Sequence, residues 1–275
     1  EILRWDNHNQ AQRMSGELNA DVQLYRNLDN KSEAHMRISP SHVILQNSTW
    51  NLEPSDILYC ENYLLVDHFS VHHGQEHIIV DGIASKRPTD SLIVDLNQVE
   101  VAYILDLVNF HSVEFSGKAT GRAKATELFG DFDAHADLQV EEFKFEEGRM
   151  GVLHAKADWN KEAQQIDIQA FTDDGDDAQT FIEGYVSPVH NTIDLTFDAK
   201  GTYIDFMHNF TKTFLSHITG HAEGKARLFG TLDNINLTGN LVVDGEATVT
   251  SLNTTYQLRR DTVIMIPDEI ELRHM

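Results

Sequence analysis

The chain has 275 residues, 41% of them hydrophobic, and its 44 acidic against 21 basic side chains give a formal net charge of −23. That balance argues against a nucleic-acid partner, because phosphate neutralisation needs clustered Lys and Arg. The single cysteine, Cys60, rules out an internal disulfide and a cysteine metal cluster, and no apolar run approaches the ~20 residues of a membrane helix.

Residues 1–35 are polar and read as a partial strand region, with a short alternation at Ala20, Val22 and Leu24. From Met36 the pattern settles into period two: Met36 and Ile38, Val43 and Leu45, Trp50 and Leu52, then Leu65, Phe69 and Val71. Such alternation makes strands with one apolar and one polar face. Pro40-Ser41, Glu53-Pro54-Ser55-Asp56 and His73-Gly74-Gln75 punctuate them as turns. Ile78 with Val80, and Leu92, Val94 and Leu96, continue the series. Residues 101–110 are the first segment with helical spacing and predict a short helix. Strands then resume at Ala119, Gly121, Ala123 and Ala125, followed by Ala134, Ala136, Leu138 and Val140. Phe143 and Phe145 shift the register after Glu141-Glu142, as a bulge or turn does.

The same grammar returns at Leu153, Ala155, Ala157 and Trp159, then at Ile166, Ile168 and Ala170. An acidic turn, Asp173-Asp174-Gly175-Asp176-Asp177, leads to Ile182, Gly184 and Val186, then to Ile193, Leu195 and Phe197. Residues 203–215 predict a second short helix. Ala222, Gly224, Ala226 and Leu228 form a second small-residue strand, and Leu237, Leu241 and Val243 open a further series.

The recurrence is internal repetition. F-S-G-K-A-T-G-R-A-K-A-T-E-L-F-G-D-F-D, at 115–133, returns as I-T-G-H-A-E-G-K-A-R-L-F-G-T-L-D at 218–233. Tyr103-Ile104-Leu105-Asp106 likewise matches Tyr203-Ile204-Asp205-Phe206. A tandem repeat of roughly a hundred residues implies units that bury their apolar faces by stacking on neighbours. The expected organisation is a partial region at 1–35, a first repeat at 36–150, a second at 151–236 and the start of a third at 237–275. About twenty strands joined by short turns predict an all-β, mostly antiparallel fold.

Chemical motifs are weak beside this pattern. His68, His72, His73 and His77 cluster within ten residues, yet no carboxylate or cysteine stands at supporting spacing, and they read as a solvated strand-turn-strand. The acidic turn lacks the twelve-residue spacing and terminal Glu of a calcium loop. The repeated glycines precede no helix carrying Lys-Ser or Lys-Thr, so they make no phosphate loop. They read instead as places where strands curve or another backbone lies close. No catalytic spacing recurs in both copies, so neither an enzyme nor a cofactor is expected.

Several separated motifs carry a family resemblance: W-N-L-x-P at 50–54, I-I-V-D-G-I-A-S at 78–85, Y-I-L-D-L before a G-x-x-x-G strand, G-T-L-D-N-I-N-L-T-G-N-L at 230–241, and V-T-S-L-N-T-T-Y at 249–256. Together they resemble the TamB family of AsmA-like, bridge-like lipid transfer proteins, and more closely the C-terminal half of its Bacteroides-type members. The resemblance implies an elongated β-taco, a folded-over sheet with an apolar trough. It also implies an inner-membrane anchor outside this excised fragment, and a periplasmic course toward the outer membrane. Expected partners are phospholipid acyl chains and, through other parts of the parent, a TamA- or BamA-type barrel. The implied function is phospholipid carriage; the alternative is a scaffold for outer-membrane β-barrel assembly. From their alternation in strands of both copies, Leu92, Val94, Leu96, Leu138, Val140, Ile166, Ile168, Ile193, Leu195, Phe197, Leu241 and Val243 are expected to line the trough.

Overall fold

A computed structural model describes residues 2–6, 14–45, 48–107, 113–175, 178–267 and 269–273. Among them the chain is almost entirely antiparallel β. The strand segments in order are β1 (Ile2–Asp6), β2 (Met14–Arg26), β3 (Ser32–Ile38), β4 (Ser41–Leu45), β5 (Ser48–Leu52), β6 (Ser55–Cys60), β7 (Tyr63–His73), β8 (Glu76–Ala84) and β9 (Ser91–Glu100). Helix α1 (Val101–Leu107) precedes β10 (Phe115–Thr126), β11 (Asp133–Phe145), β12 (Gly148–Asn160), β13 (Gln165–Asp173), β14 (Gln179–Ser187) and β15 (Thr192–Tyr203). Helix α2 (Met207–Thr211) leads to β16 (Leu215–Thr231), β17 (Asn234–Val249), β18 (Thr254–Ile266) and β19 (Glu269–Arg273).

From β12 to β19 each strand pairs with the next, a meander joined by short turns except between β15 and β16, where α2 intervenes. Two-residue turns such as Glu146-Glu147, where φ is +48° and +66°, supply the twist that antiparallel hairpins need. Nearer the start, β3 with β4 and β5 with β6 are halves of two long strands. The kinks at Ser39-Pro40 and Glu53-Pro54 face each other, flanked by the pairs Ile38↔Ser55 and Ser41↔Leu52. Proline brings no amide to the ladder, so pairing breaks where the two prolines meet. The turns expected from these prolines are therefore bends within strands. The disturbance passes into β7, where the register against β8 shifts between Val66 and Phe69 and His68 takes φ +50°.

Three left-handed positions, His68, Arg260 and Gln98, share one construction. The amide of His68 donates to Oδ1 of Asp81 across the pair (2.9 Å), and the amide of Arg260 donates to Oδ1 of Asp244 (2.9 Å). Gln98, at φ +55°, donates in the same way to Oγ1 of Thr120 (3.0 Å). In each case the accepting residue directly precedes a glycine, Gly82, Gly245 or Gly121. The shift expected at Glu141-Glu142 also coincides with a left-handed residue, Glu142 at φ +51°.

Two compact units emerge: 1–99 with 120–136, and 100–119 with 137–275. These packing units divide the chain differently from the sequence repeats, because the 150/151 boundary falls inside β12 of the second unit. In the first unit Ile38, Trp50, Leu52, Val66, Ala84 and Val99 are buried, together with Ser41, Ser55, Ser70 and Ser85. In the second, one contiguous apolar cluster runs from Val113 to Met265.

The second helix is shorter than its spacing predicts. α1 is described over Val101–Leu107, and residues 108–110 of the expected helix lie outside the described residues. α2 keeps five residues of 203–215, because Tyr203 pairs with His221 at the end of β15 and Leu215 pairs with Val249 at the start of β16. Strand hydrogen bonds claim both flanks and leave one turn of helix between them.

Candidate functional site

Strand register places the apolar residues of each unit in rows that run across the strands. In the second unit Trp159, Ile166, Val186, Ile193, Gly230 and Ile235 stand opposite one another in sequence from β12 to β17. A parallel row is Ala157, Ile168, Gly184, Leu195, Leu228 and Leu237. A third runs Ala155, Ala170, Ile182, Phe197, Ala226, Gly239 and Met265. All three lie on one face, since their members are two residues apart along each strand. No polar side chain interrupts them. The next row contains Thr172 and Thr180, both buried, and Thr180 is hydrogen-bonded to Thr202 (2.6 Å).

The first unit repeats the design. Leu52, Val71, Ile78 and Leu96 form one row, and Phe69, Val80 and Val94 another. A third consists of Val22, Met36, Ile57, Val66, Gly82 and Leu92. Leu92, Val94 and Leu96 each stand in one of these rows, all three half-buried on β9, which pairs on its other side with β10. Along the third row exposure falls from 53% at Val22 to 6% at Val66, so the face is open at β2 and covered at β7.

Glycines occupy equivalent points in the two rows just described. Gly82 and Gly184 stand opposite Leu92 and Leu195, with φ +117° and +149°. A Cβ on either would lie 2.2 Å from the carbonyl oxygen of Ser91 or 2.0 Å from that of Asp194. The close backbone approach expected of the repeated glycines is present at both positions.

The face of the second unit is filled by its own side chains. Val140, Ile193, Leu195, Leu241 and Val243 are buried in the cluster, while Ile168 and Phe197 pack half-buried against it. Leu138 and Ile166 are half-buried. The sequence reading missed the groups that do the filling: Phe145, and the segment entering α2. Phe145 stacks with Phe115 (5.4 Å) and Phe197 (6.4 Å) and meets Phe206 at 5.5 Å. Ile204 and Met207 are fully enclosed, and Phe206 lies so close to β12 that a Cβ on Gly148 would be 2.3 Å from its amide nitrogen. The signal available for Phe145 was the register shift at 141–145, which turns both Phe143 and Phe145 inward.

What space remains between Phe145, Met150, Phe197, Phe206, Ala222 and Leu241 is about 30 Å³, close to the share of one water molecule. An acyl chain enters there only if side chains move. A larger cleft of about 340 Å³ opens at the end of the same unit, lined by Met207, Phe214, Ile235, Leu237, Met265 and Ile266. Phe214 and Ile266 are exposed at its mouth.

Charge lies on the other face and at the edges. Arg227 makes a forked pair with Asp194, Nε to Oδ1 at 2.7 Å and Nη2 to Oδ2 at 2.5 Å. That pair holds the Asp194 carboxyl below the usual carboxylate range against the opposing effect of burial. Arg149 clamps the acidic turn through Asp174 and lies over the Tyr203 ring at 5.4 Å. Asp176 and Asp177 lie outside the described residues. Among the described residues no three His, Cys, Asp or Glu side chains converge as a metal-binding group. Among the described residues no helix is long and apolar enough to cross a membrane.

The chain matches no family model, no curated protein and no solved structure.

Proposed function

We propose that this chain is a segment of a TamB-like periplasmic bridge that carries phospholipid acyl chains along the apolar face of its sheet toward the outer membrane. The observation that carries the reading is the set of cross-strand rows, apolar without interruption over six or seven strands of the second unit. They run perpendicular to the strands, so a hydrocarbon lying along them would meet a like side chain every ~4.8 Å. Each methylene that leaves water gains about 0.8 kcal/mol, and the acidic residues keep the opposite face in solvent. Carriage of this kind requires no nucleophile and no cofactor.

In this reading the second unit is in its closed, lipid-free packing and the first offers the accessible part of the face. The test is native mass spectrometry with lipid extraction on the chain purified from bacterial membranes in mild detergent. Co-purifying phospholipid that is lost in Val94→Asp supports carriage. Val94 is half-buried, so a charge is tolerated there more readily than at buried Leu195. Normal lipid occupancy in Val94→Asp removes that residue from the path. A folded, lipid-free chain that binds unfolded barrel strands would replace the lipid reading with the assembly scaffold, together with its TamA- or BamA-type partner.

A further inference from the structure

We propose that His72 and His77 form a surface chelate for a divalent late transition metal, with Cu(II) bound most tightly. The two residues stand directly opposite each other on β7 and β8. They lie one step from the turn Gly74-Gln75, which is closed by the pair His73↔Glu76. A two-residue turn closes on a hydrogen-bonded pair, and alternation along the ladder then makes His72↔His77 a non-hydrogen-bonded pair. Pairs of that kind bring Cα atoms to ~4.5 Å and side chains closest together on one face. Two imidazoles so placed can each present a ring nitrogen to one ion at the ~2.0–2.1 Å typical of metal–histidine bonds.

The surroundings hold this geometry ready. Glu53 arrives from the kink between β5 and β6, and its Oε1 is 3.7 Å from Nδ1 of His72. The carboxylate stands on the Nδ1 side of the ring, beyond hydrogen-bond distance, and leaves Nε2 as the nitrogen free to face the metal. This is the supporting carboxylate that linear spacing did not show, because it is nineteen positions away in sequence. The turn is tied down by Asn97, whose Nδ2 donates to the carbonyl oxygen of Gln75 (2.7 Å). On the opposite face His73 is bonded through Nδ1 to the Thr49 carbonyl oxygen (2.8 Å) and rests against Trp50. The hairpin therefore loses little freedom when an ion binds.

The row continues in register through Asn51 and His42 on one side and Asn97 on the other. His42, Asn51, Glu53 and His72 line one shallow, open cleft. Two protein ligands leave the remaining coordination positions to water, so the site is exchangeable and not a structural metal centre. The absence of a converging third ligand is consistent with that character. The order of affinities follows the general rise toward Cu(II) among divalent metals at nitrogen sites.

The test is a Cu(II) titration of the full chain followed by electron paramagnetic resonance. The first equivalent should show a two-nitrogen signature, and His72→Ala or His77→Ala should weaken it at least about ten-fold. Glu53→Gln should weaken it less, and His190→Ala, an exposed histidine elsewhere in the chain, should leave it unchanged. An unchanged first equivalent in both His72→Ala and His77→Ala overturns the proposal. Should a variant fail to fold, the wild-type chain decides the matter by carbethoxylation of histidines with diethyl pyrocarbonate, read by mass spectrometry. One equivalent of Zn(II) should protect His72 and His77 ahead of the other histidines, and equal labelling of all of them overturns the site.

Discussion

At the scale of single residues, the backbone at the bulges and glycine crossings is where this sheet is most exacting. His68 is held at φ +50° with its amide on Asp81. The left-handed conformation costs a non-glycine residue roughly 1–2 kcal/mol. His68→Gly should therefore be neutral or slightly stabilising in urea unfolding, whereas Asp81→Ala should cost about 0.5–1.5 kcal/mol by removing the acceptor. Gly184→Ala belongs to another class. Its Cβ would sit 2.0 Å from the Asp194 carbonyl oxygen at φ +149°, and a loss of at least about 2 kcal/mol is expected, visible as a lower denaturation midpoint. Asp194 itself reports on pH. The hydrogen-bonded Arg227 lowers its folded pKa, so its contribution is complete above the unfolded value of about 3.9 and disappears as pH falls through the lower folded value. Thermal unfolding followed from roughly pH 6 to pH 3 should show a steeper acid loss in wild type than in Arg227→Gln.

At the scale of elements, strands and their apolar faces could be read from alternation alone, because a period of two survives wherever one face is buried. β15 shows the case clearly: Ile193 and Leu195 are buried and Phe197 half-buried, all three on one face. Proline positions were equally legible, but their meaning was not. Pro40 and Pro54 look like turns in one dimension and become facing kinks in long strands only once the register is known. The second helix was overestimated for a related reason, since hydrogen bonding to β16 and β17 decides the fate of Tyr203 and Leu215. Least legible was the closure of the second unit's face. It depends on Phe145, Ile204, Phe206 and Met207 meeting across long sequence separations. Phe145→Ala should cost ~3–5 kcal/mol and, on the proposed function, should raise the amount of co-purifying lipid relative to wild type by opening the space beside Phe197. Lower stability without greater lipid occupancy would mark Phe145 as ordinary core.

At the scale of the whole molecule, the two repeats place the same kinds of residue at the same steps. Leu92 and Leu195 face Gly82 and Gly184, and Ser85 and Ser187 are buried near the ends of β8 and β14. In both turns the serine hydroxyl accepts a backbone amide, that of Arg87 in one and of His190 in the other. Carriage predicts that equivalent charges in the two copies act alike. Lipid occupancy should therefore fall with Phe197→Asp, the second-copy counterpart of Val94, as it does with Val94→Asp, measured by the same lipid extraction. A variant that silences one copy alone would show that the repeats do not serve a common path.

On the proposed function, the uninterrupted apolar character of each row from strand to strand has a thermodynamic consequence. A track whose every step resembles the last carries no arrow, and a molecule on it wanders as readily backward as forward. Vectorial flow along such a track is a boundary condition: it follows from supply at one end and withdrawal at the other. Lengthening the track by another repeat slows transit without changing its sense, and reversing the gradient between its ends reverses the current.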